Sequence, residues 1–365
     1  MIFSLYLIIT IYCLAIFALV YGFTKVNSFE YIGSPPKTKF SIIVPFRNES
    51  ENLPQLLNSF SKLNYPRDLF EVILVDDCSD EEFKVQSLKF EVSVIKNIRV
   101  SNSPKKDAIL TAIQFVKTDW IITTDADCLV NKNWLKTLDN YIQNHEVSII
   151  AGAVTYDCSD SFLHHFQQLD LASLQGATIG SFGLKKGFMC NGANLAYKKS
   201  LFLELNGFEG NDRIASGDDV FLLQKAIVKC SEKVHYLKSE NNIVFTKPVD
   251  DWKSLFHQRV RWASKTSSYQ SGFGIGLGLV VLVGNMCWLM ANGCWLLNLM
   301  PFQNLFFLFL LKLCVDSLLI YRTNRFLMKQ KMRYLILSSL LYPFFSTSVA
   351  FYSLFGKYEW KGRKF

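Results

Sequence analysis

Three long stretches of this 365-residue chain contain no Asp, Glu, Lys or Arg: residues 1–24, 266–311 and 334–356. The longest runs 46 residues, from Thr266 to Leu311. As one helix it would measure roughly 69 Å, against a hydrocarbon core about 30 Å thick. It therefore holds more than one crossing, with the natural break at Asn298–Gln303 around Pro301. The pattern predicts spans at Phe273–Leu297 and Phe302–Tyr321, and a third apolar run at Tyr334–Gly356 with Pro343 near its middle. Lys312 and Asp316 lie four apart in the second span and so share a helix face. An ion pair turned toward neighbouring helices is the expected arrangement.

Residues 1–24 read as a retained anchor rather than a signal peptide. No Lys or Arg precedes the apolar stretch, which is too long, and no A-x-A cleavage site follows it. Half of the residues are hydrophobic and only 19% charged, which excludes disorder, collagen, coiled coil and a simple soluble enzyme. Positive charge sets orientation. Lys25, Lys37 and Lys39 follow the anchor, and Arg322, Arg325, Lys329, Lys331 and Arg333 separate the last two apolar runs. Both segments are expected on the cytoplasmic side of an inner or plasma membrane, with the polar part of the chain. The basic tail Lys357–Phe365 joins them there only if Tyr334–Gly356 re-enters instead of crossing. The net charge of +8 fits contact with anionic headgroups as readily as with nucleic acid. The membrane, and no nucleic acid, is the expected partner. Nine scattered cysteines with no C-x-x-C pair suggest neither a zinc site nor a disulfide framework.

Between the anchor and the long uncharged run, short apolar segments alternate with helical patterns. Phe40–Pro45, Phe70–Asp76, Val92–Lys96 and Trp120–Thr124 read as strands, with helices at about Glu51–Lys62 and Pro104–Lys117. Fully apolar strands alternating with helices imply an α/β fold: a mostly parallel sheet covered on both faces. Ligands in such sheets gather at the carboxyl ends of strands, where this sequence places Asp76, Asp77, Asp125 and Asp127. Carboxylates in an i,i+2 turn suit a hard cation that also holds a diphosphate. Alone, D-x-D is more readily a polar loop; four acids at two strand ends favour the site. Neither G-x-G-x-x-G nor G-x-x-x-x-G-K-[ST] is present, so dinucleotide and P-loop readings lose support. Further on, SGDDVFL opens an apolar helix with Ser216 as its expected N-cap. Capping and the helix dipole explain one of Asp218 and Asp219 but hardly both. One of them reaching an acceptor hydroxyl would be a general base. Residues 251–270 place Trp252, Leu255, Phe256, Arg259, Trp262 and Ala263 at helical spacing among basic residues, as in an amphipathic interfacial helix. The alternative is that Arg261 faces a diphosphate.

These segments together resemble the membrane-bound, inverting glycosyltransferases of family 2, which have the GT-A nucleotide-sugar fold. SIIVPFRNESENL, VILVDDCSD, TTDADC, CNGANLAYKKSLF, SGDDVFL and HQRVRW follow in order from Phe40 to Trp262 at family-like spacing. The last is similar to the Q-x-x-R-W motif. The resemblance implies domains at 1–24 (anchor), 38–250 (cytoplasmic GT-A domain), 251–270 (interfacial helix), 271–356 (membrane region) and 357–365 (basic tail). It further implies that Pro45, Arg47 and Glu49 line the nucleotide pocket and that Asp77 holds the base. Lys105 would lie near the nucleotide, although Pro104 replaces the family's glycine. Asp125 would contact the nucleotide side and Asp127 would ligate Mn2+ or Mg2+. Asp219 would be the catalytic base beside Asp218, which stands where Glu is more frequent. Gln258, Arg261 and Trp262 would close over the diphosphate and acceptor. Trp360–Arg363 resembles a basic terminal motif of relatives. The implied partners are a nucleotide-diphosphate sugar, with uridine as the expected base, and a lipid or glycan acceptor. A processive polysaccharide synthase using the same site, and an inactive membrane scaffold, stay open as alternatives.

Overall fold

The computed structural model describes residues 2–31, 33–85, 88–211, 217–265, 270–329, 331–356, 359–360 and 363–364. In chain order the elements are α1 (Ile2–Lys25), β1 (Phe40–Phe46), α2 (Leu53–Ser61), β2 (Phe70–Asp76), β3 (Glu91–Lys96), α3 (Pro104–Ile113), β4 (Trp120–Thr123), β5 (Leu129–Val130) and α4 (Trp134–Asn144). There follow β6 (Ile149–Gly152), β7 (Val154–Tyr156), α5 (Phe162–Gly183), β8 (Leu195–Lys198), α6 (Lys199–Glu204), α7 (Asp218–Cys230), β9 (Val234–Leu237) and β10 (Val244–Thr246). The chain continues with α8 (Trp252–Ala263), α9 (Gly272–Leu296), α10 (Phe302–Leu327), α11 (Leu335–Phe355), β11 (Glu359–Trp360) and β12 (Arg363–Lys364). Expected features at Ser216, and at Lys357 and Lys361 of the tail, lie outside the described residues.

The elements form two compact units. One comprises residues 27–157 and 189–247, the other residues 1–26, 158–188 and 248–365. The first is built on a seven-stranded sheet of order β3-β2-β1-β4-β8-β6-β9. Strands β3, β2, β1 and β4 run parallel; β1, β2 and β4 are largely apolar and buried, as inner parallel strands require, while β3 is the more exposed edge. Strand β8 lies antiparallel between β4 and β6, and β9 is parallel to β6. Phe40, Ile42, Val44, Val72 and Leu74 point to one buried side, where Leu56 and Phe60 of α2 and Trp134 of α4 cover them. Because β1 and β2 are in register from Phe40↔Phe70 to Phe46↔Asp76, their carboxyl ends finish level and the loops after them emerge together.

In the second unit α1, α9, α10 and α11 are each long and apolar enough to cross a membrane. Helix α10 runs on to Leu327, past the expected end at Tyr321, and α11 continues unbroken through Pro343. Tyr12, Ile16, Leu19 and Val20 of α1 pack with Val315 and Leu319 of α10. Inside this packing Lys312 Nζ lies 2.6 Å from Asp316 Oδ2, while the Tyr12 hydroxyl donates to Asp316 Oδ1 at 2.6 Å. The pair faces a neighbouring helix, as expected of intramembrane charges. Replacing Lys312 by Met strands the Asp316 carboxylate and is expected to destabilise the protein by about 3–5 kcal/mol. The double variant Lys312→Met/Asp316→Leu should recover most of that loss. Thermal unfolding of the two variants in detergent measures the difference.

Residues 158–188, which the sequence placed inside the sheet domain, belong with the helical unit. Helix α5 opens on Ser161, whose hydroxyl accepts from the His164 amide. Its glycines come into backbone contact with α1: a Cβ added at Gly180 would lie 2.4 Å from the Leu19 carbonyl, and one at Gly183 1.8 Å from that of Gly22. One at Gly176 would meet Thr323 and Leu319 of α10. Small residues four apart let helix backbones approach this closely.

Candidate active site

Within the sheet unit, four sequence-predicted residues come together from three separate segments. Lys105, in the first turn of α3, places Nζ 2.6 Å from Asp125 Oδ1 and 3.6 Å from Asp218 Oδ2. Asp125 follows β4 and Asp218 opens α7. Burial opposes the lysine's charge, but Asp125 and then Asp218 hold the ammonium above its ordinary range. Asp219 is buried beside Asp218, and its Oδ2 accepts the Gly192 amide at 2.8 Å while Oδ1 accepts the Val220 amide at 2.8 Å. The N-cap of α7 is Gly217, with φ +88°, a left-handed conformation that glycine adopts without strain.

The turn carrying Gly192 is fixed from below. Asn194 is buried, accepts from Trp134 Nε1 at 3.1 Å and donates to the Ala153 and Asn242 carbonyls at 2.8 and 2.6 Å. The Asn191 side chain accepts the Ala193 amide. Lys106 anchors the chain before α7: its buried Nζ donates to the Asn211 carbonyl at 2.5 Å and sits 5.1 Å from the Phe221 ring centre. A Cβ at Gly192 would come within 3.0 Å of Asp218 Oδ2 and 3.2 Å of Lys105 Nζ. Gly192→Ala should therefore displace both groups and cut turnover about tenfold or more, with little change in Tm. Steady-state kinetics beside a melting curve checks this.

The remaining predicted residues of this unit sit at the ends of β1, β2 and β4. Asp77 is buried and accepts from Asn97 Nδ2 at 2.7 Å and Arg99 Nη1 at 3.3 Å. Pro45 lies within β1, opposite Val75, and Arg47 is half-buried just beyond that strand. Glu49 accepts from Asn52 Nδ2 at 2.6 Å and starts the turn into α2. Asn48 bonds to Asp80, tying the β1 loop to the β2 loop. Asp127 is half-buried in the turn after β4, with Cys128 Sγ 3.7 Å from its Oδ1. Burial, Asp127 and Asp125 push the Cys128 thiol well up, leaving it an inert neighbour. No group of three or more His, Cys, Asp or Glu arranged for a metal occurs among the described residues. Asp125 and Asp127 offer hard oxygen donors from one turn, a set that suits a cation completing its shell with phosphate.

Gln258, Arg261 and Trp262 lie on α8 in the helical unit, and Gln258 and Trp262 gather on Arg259, which the sequence reading placed on the helix face without assigning it a role. Arg259 Nε pairs with Asp170 Oδ2 of α5 at 2.5 Å, both side chains being only 5% exposed. The same guanidinium donates to Gln258 Oε1 and stacks 4.1 Å from the Trp262 ring centre. Asn97, Arg99 and Gly192 also escaped the sequence reading. Asn97 had a legible signal, since it stands just past the carboxyl end of β3.

A mostly parallel sheet with acids at its strand ends and a second acid pair opening a nearby helix has the plan of a nucleotide-sugar-binding α/β domain. Residues 41–205 match the profile described as Glycosyl transferase family 2. Over 118 residues the chain is 31% identical to the poly(ribitol-phosphate) β-N-acetylglucosaminyltransferase TarS of Staphylococcus aureus, covering 31% of this chain and 20% of that protein. It is 31% identical over 170 residues to an uncharacterised glycosyltransferase of Haemophilus influenzae, covering 46% and 55%. The chain thus spans from a fifth to just over half the length of these relatives. Among solved structures, a mannosyltransferase of Pyrobaculum calidifontis in complex with GDP-Man and Mn2+ superposes with a TM-score of 0.55 at 13% identity, covering 97% of this chain and 99% of that one. The fold is GT-A-like, with apolar helices at both ends of the chain long enough to span a membrane. The profile and the named relatives support a family 2 glycosyltransferase domain.

Proposed function

We propose that this protein is an inverting, metal-dependent glycosyltransferase. It moves a sugar from a nucleotide-diphosphate donor, a UDP-sugar in the first instance, to a membrane-associated lipid or lipid-linked acceptor at the cytoplasmic face. The observation that carries this reading is the convergence of Lys105, Asp125, Asp218 and Asp219 in one unit. Asp219, held by two backbone amides, takes the proton from an acceptor hydroxyl as that oxygen attacks the anomeric carbon. A single in-line displacement inverts the configuration and needs no covalent intermediate. Asp127, with Asp125 beside it, would hold Mn2+ or Mg2+; the cation supplies charge stabilisation at the departing diphosphate. Asp77 with Asn97 and Arg99 binds the nucleotide base, Pro45, Arg47 and Glu49 line its pocket, and Gln258, Arg261 and Trp262 serve the diphosphate and acceptor. Lys25 and the basic segment between α10 and α11 orient the sheet unit toward the cytoplasm.

The test is donor turnover by detergent-purified protein across a panel of nucleotide sugars, with Mn2+, Mg2+ or EDTA and with or without lipid extract. Turnover of one donor, abolished by EDTA and stimulated by lipid, is expected. Metal-independent turnover overturns the cation's role, and no turnover of any donor by folded protein leaves the scaffold reading. The Q-x-x-R-W segment also favours a processive synthase; a ladder of products rather than a single addition would establish that alternative.

A further inference from the structure

Lys105 occupies the place where a cation's charge is wanted. Its ammonium bridges the acid after β4 and the acid opening α7, with the lysine side chain 19% exposed and that of Asp125 41%. A divalent ion arriving alone would meet that positive charge at the same Asp125 carboxylate. We propose that Lys105 is a resident counter-ion that makes cation binding depend on the nucleotide, so that the metal and the nucleoside diphosphate are taken up as one unit. The inference rests on the transferase reading and adds an order of binding to it.

Two properties of the site carry the idea. The contact to Asp125 is a charge-assisted hydrogen bond of 2.6 Å, so the lysine competes for a carboxylate that a cation could use. The contact to Asp218 is longer, 3.6 Å. A lysine on a flexible stem moves between such partners more readily than an arginine fork. A diphosphate brings its own negative charge and offers the ammonium an alternative partner, which frees Asp125 for the cation. Metal without nucleotide has nothing to offer Lys105 and stays weakly bound.

The experiment is Mn2+ titration of the full chain in detergent, followed by loss of the free-ion electron paramagnetic resonance signal, with and without UDP and separately GDP. Wild type is expected to take up Mn2+ weakly alone and more tightly with one of the two nucleotides. Lys105→Met and Lys105→Gln should bind Mn2+ alone about tenfold more tightly than wild type and lose most of the nucleotide dependence. Lys105→Arg, which keeps the charge, should bind Mn2+ alone as weakly as wild type while responding less to nucleotide, and circular dichroism monitors folding of all three. If both neutral variants fold and bind Mn2+ alone no better than wild type, while a nucleotide still promotes uptake by wild type, the counter-ion role falls and the transferase reading stands. If no form takes up Mn2+ with either nucleotide, this proposal and the metal dependence proposed above fall together.

Discussion

Asp219→Asn is expected to lower kcat about a thousandfold, the scale of a lost general base, while leaving the donor's KM within about threefold. The substitution keeps the side chain's shape. Of the two amide donors that Asp219 now satisfies, from Gly192 and Val220, an Asn oxygen still satisfies one. A lost hydrogen bond of this kind costs about 1 kcal/mol, so the fold should survive and the deficit should lie in chemistry. Single-turnover transfer from a labelled donor separates the steps. Retention of a tenth or more of wild-type kcat would remove Asp219 from the base role.

Loss of Arg259 should be among the most damaging single changes in the helical unit. Arg259→Met leaves the Asp170 carboxylate buried without its guanidinium, a cost of about 3–5 kcal/mol. Pairing it with Asp170→Leu removes the stranded charge, and Tm should return close to wild type. On the roles proposed for Gln258 and Trp262, activity should not return, because both rest on the Arg259 guanidinium. The double variant is expected to remain about tenfold or more below wild type in kcat/KM. If Tm and kcat/KM recover together, Arg259 is a structural residue alone and does not position the helix for the reaction.

The parts of the fold that were legible in the sequence are those governed by local pattern. FSIIVPF and FEVILVD are apolar runs interrupted only by Ser41 and Glu71 before a polar turn, and both form the parallel strands they suggest. The direction of β8 was not legible, because LAYK reads the same whether a strand runs parallel or antiparallel to its neighbours. Helix α5 misled for a related reason. Phe166 and Leu169 are buried, but apolar spacing along a helix does not say which core receives them. The glycines at 176, 180 and 183 carried that information in their spacing. At the candidate site, the acids at strand ends followed from topology, whereas the bridging by Lys105 joins residues far apart in the chain. Similarly, Arg259 and Arg261 are indistinguishable by helical spacing; the position of Asp170 decides which of them is buried with a partner.

The discontinuous path of the helical unit also sets an order of events during synthesis. Every strand of the seven-stranded sheet has been made once Lys247 has been added. Helix α5 finds α1 already present, but its Gly176 surface waits for Leu319 and Thr323, made much later in the chain. At roughly 5–20 residues per second, that surface goes without its final partner for several seconds or more. The nascent chain therefore carries every strand of its sheet while the bundle is still incomplete, and the bundle closes only when α10 arrives.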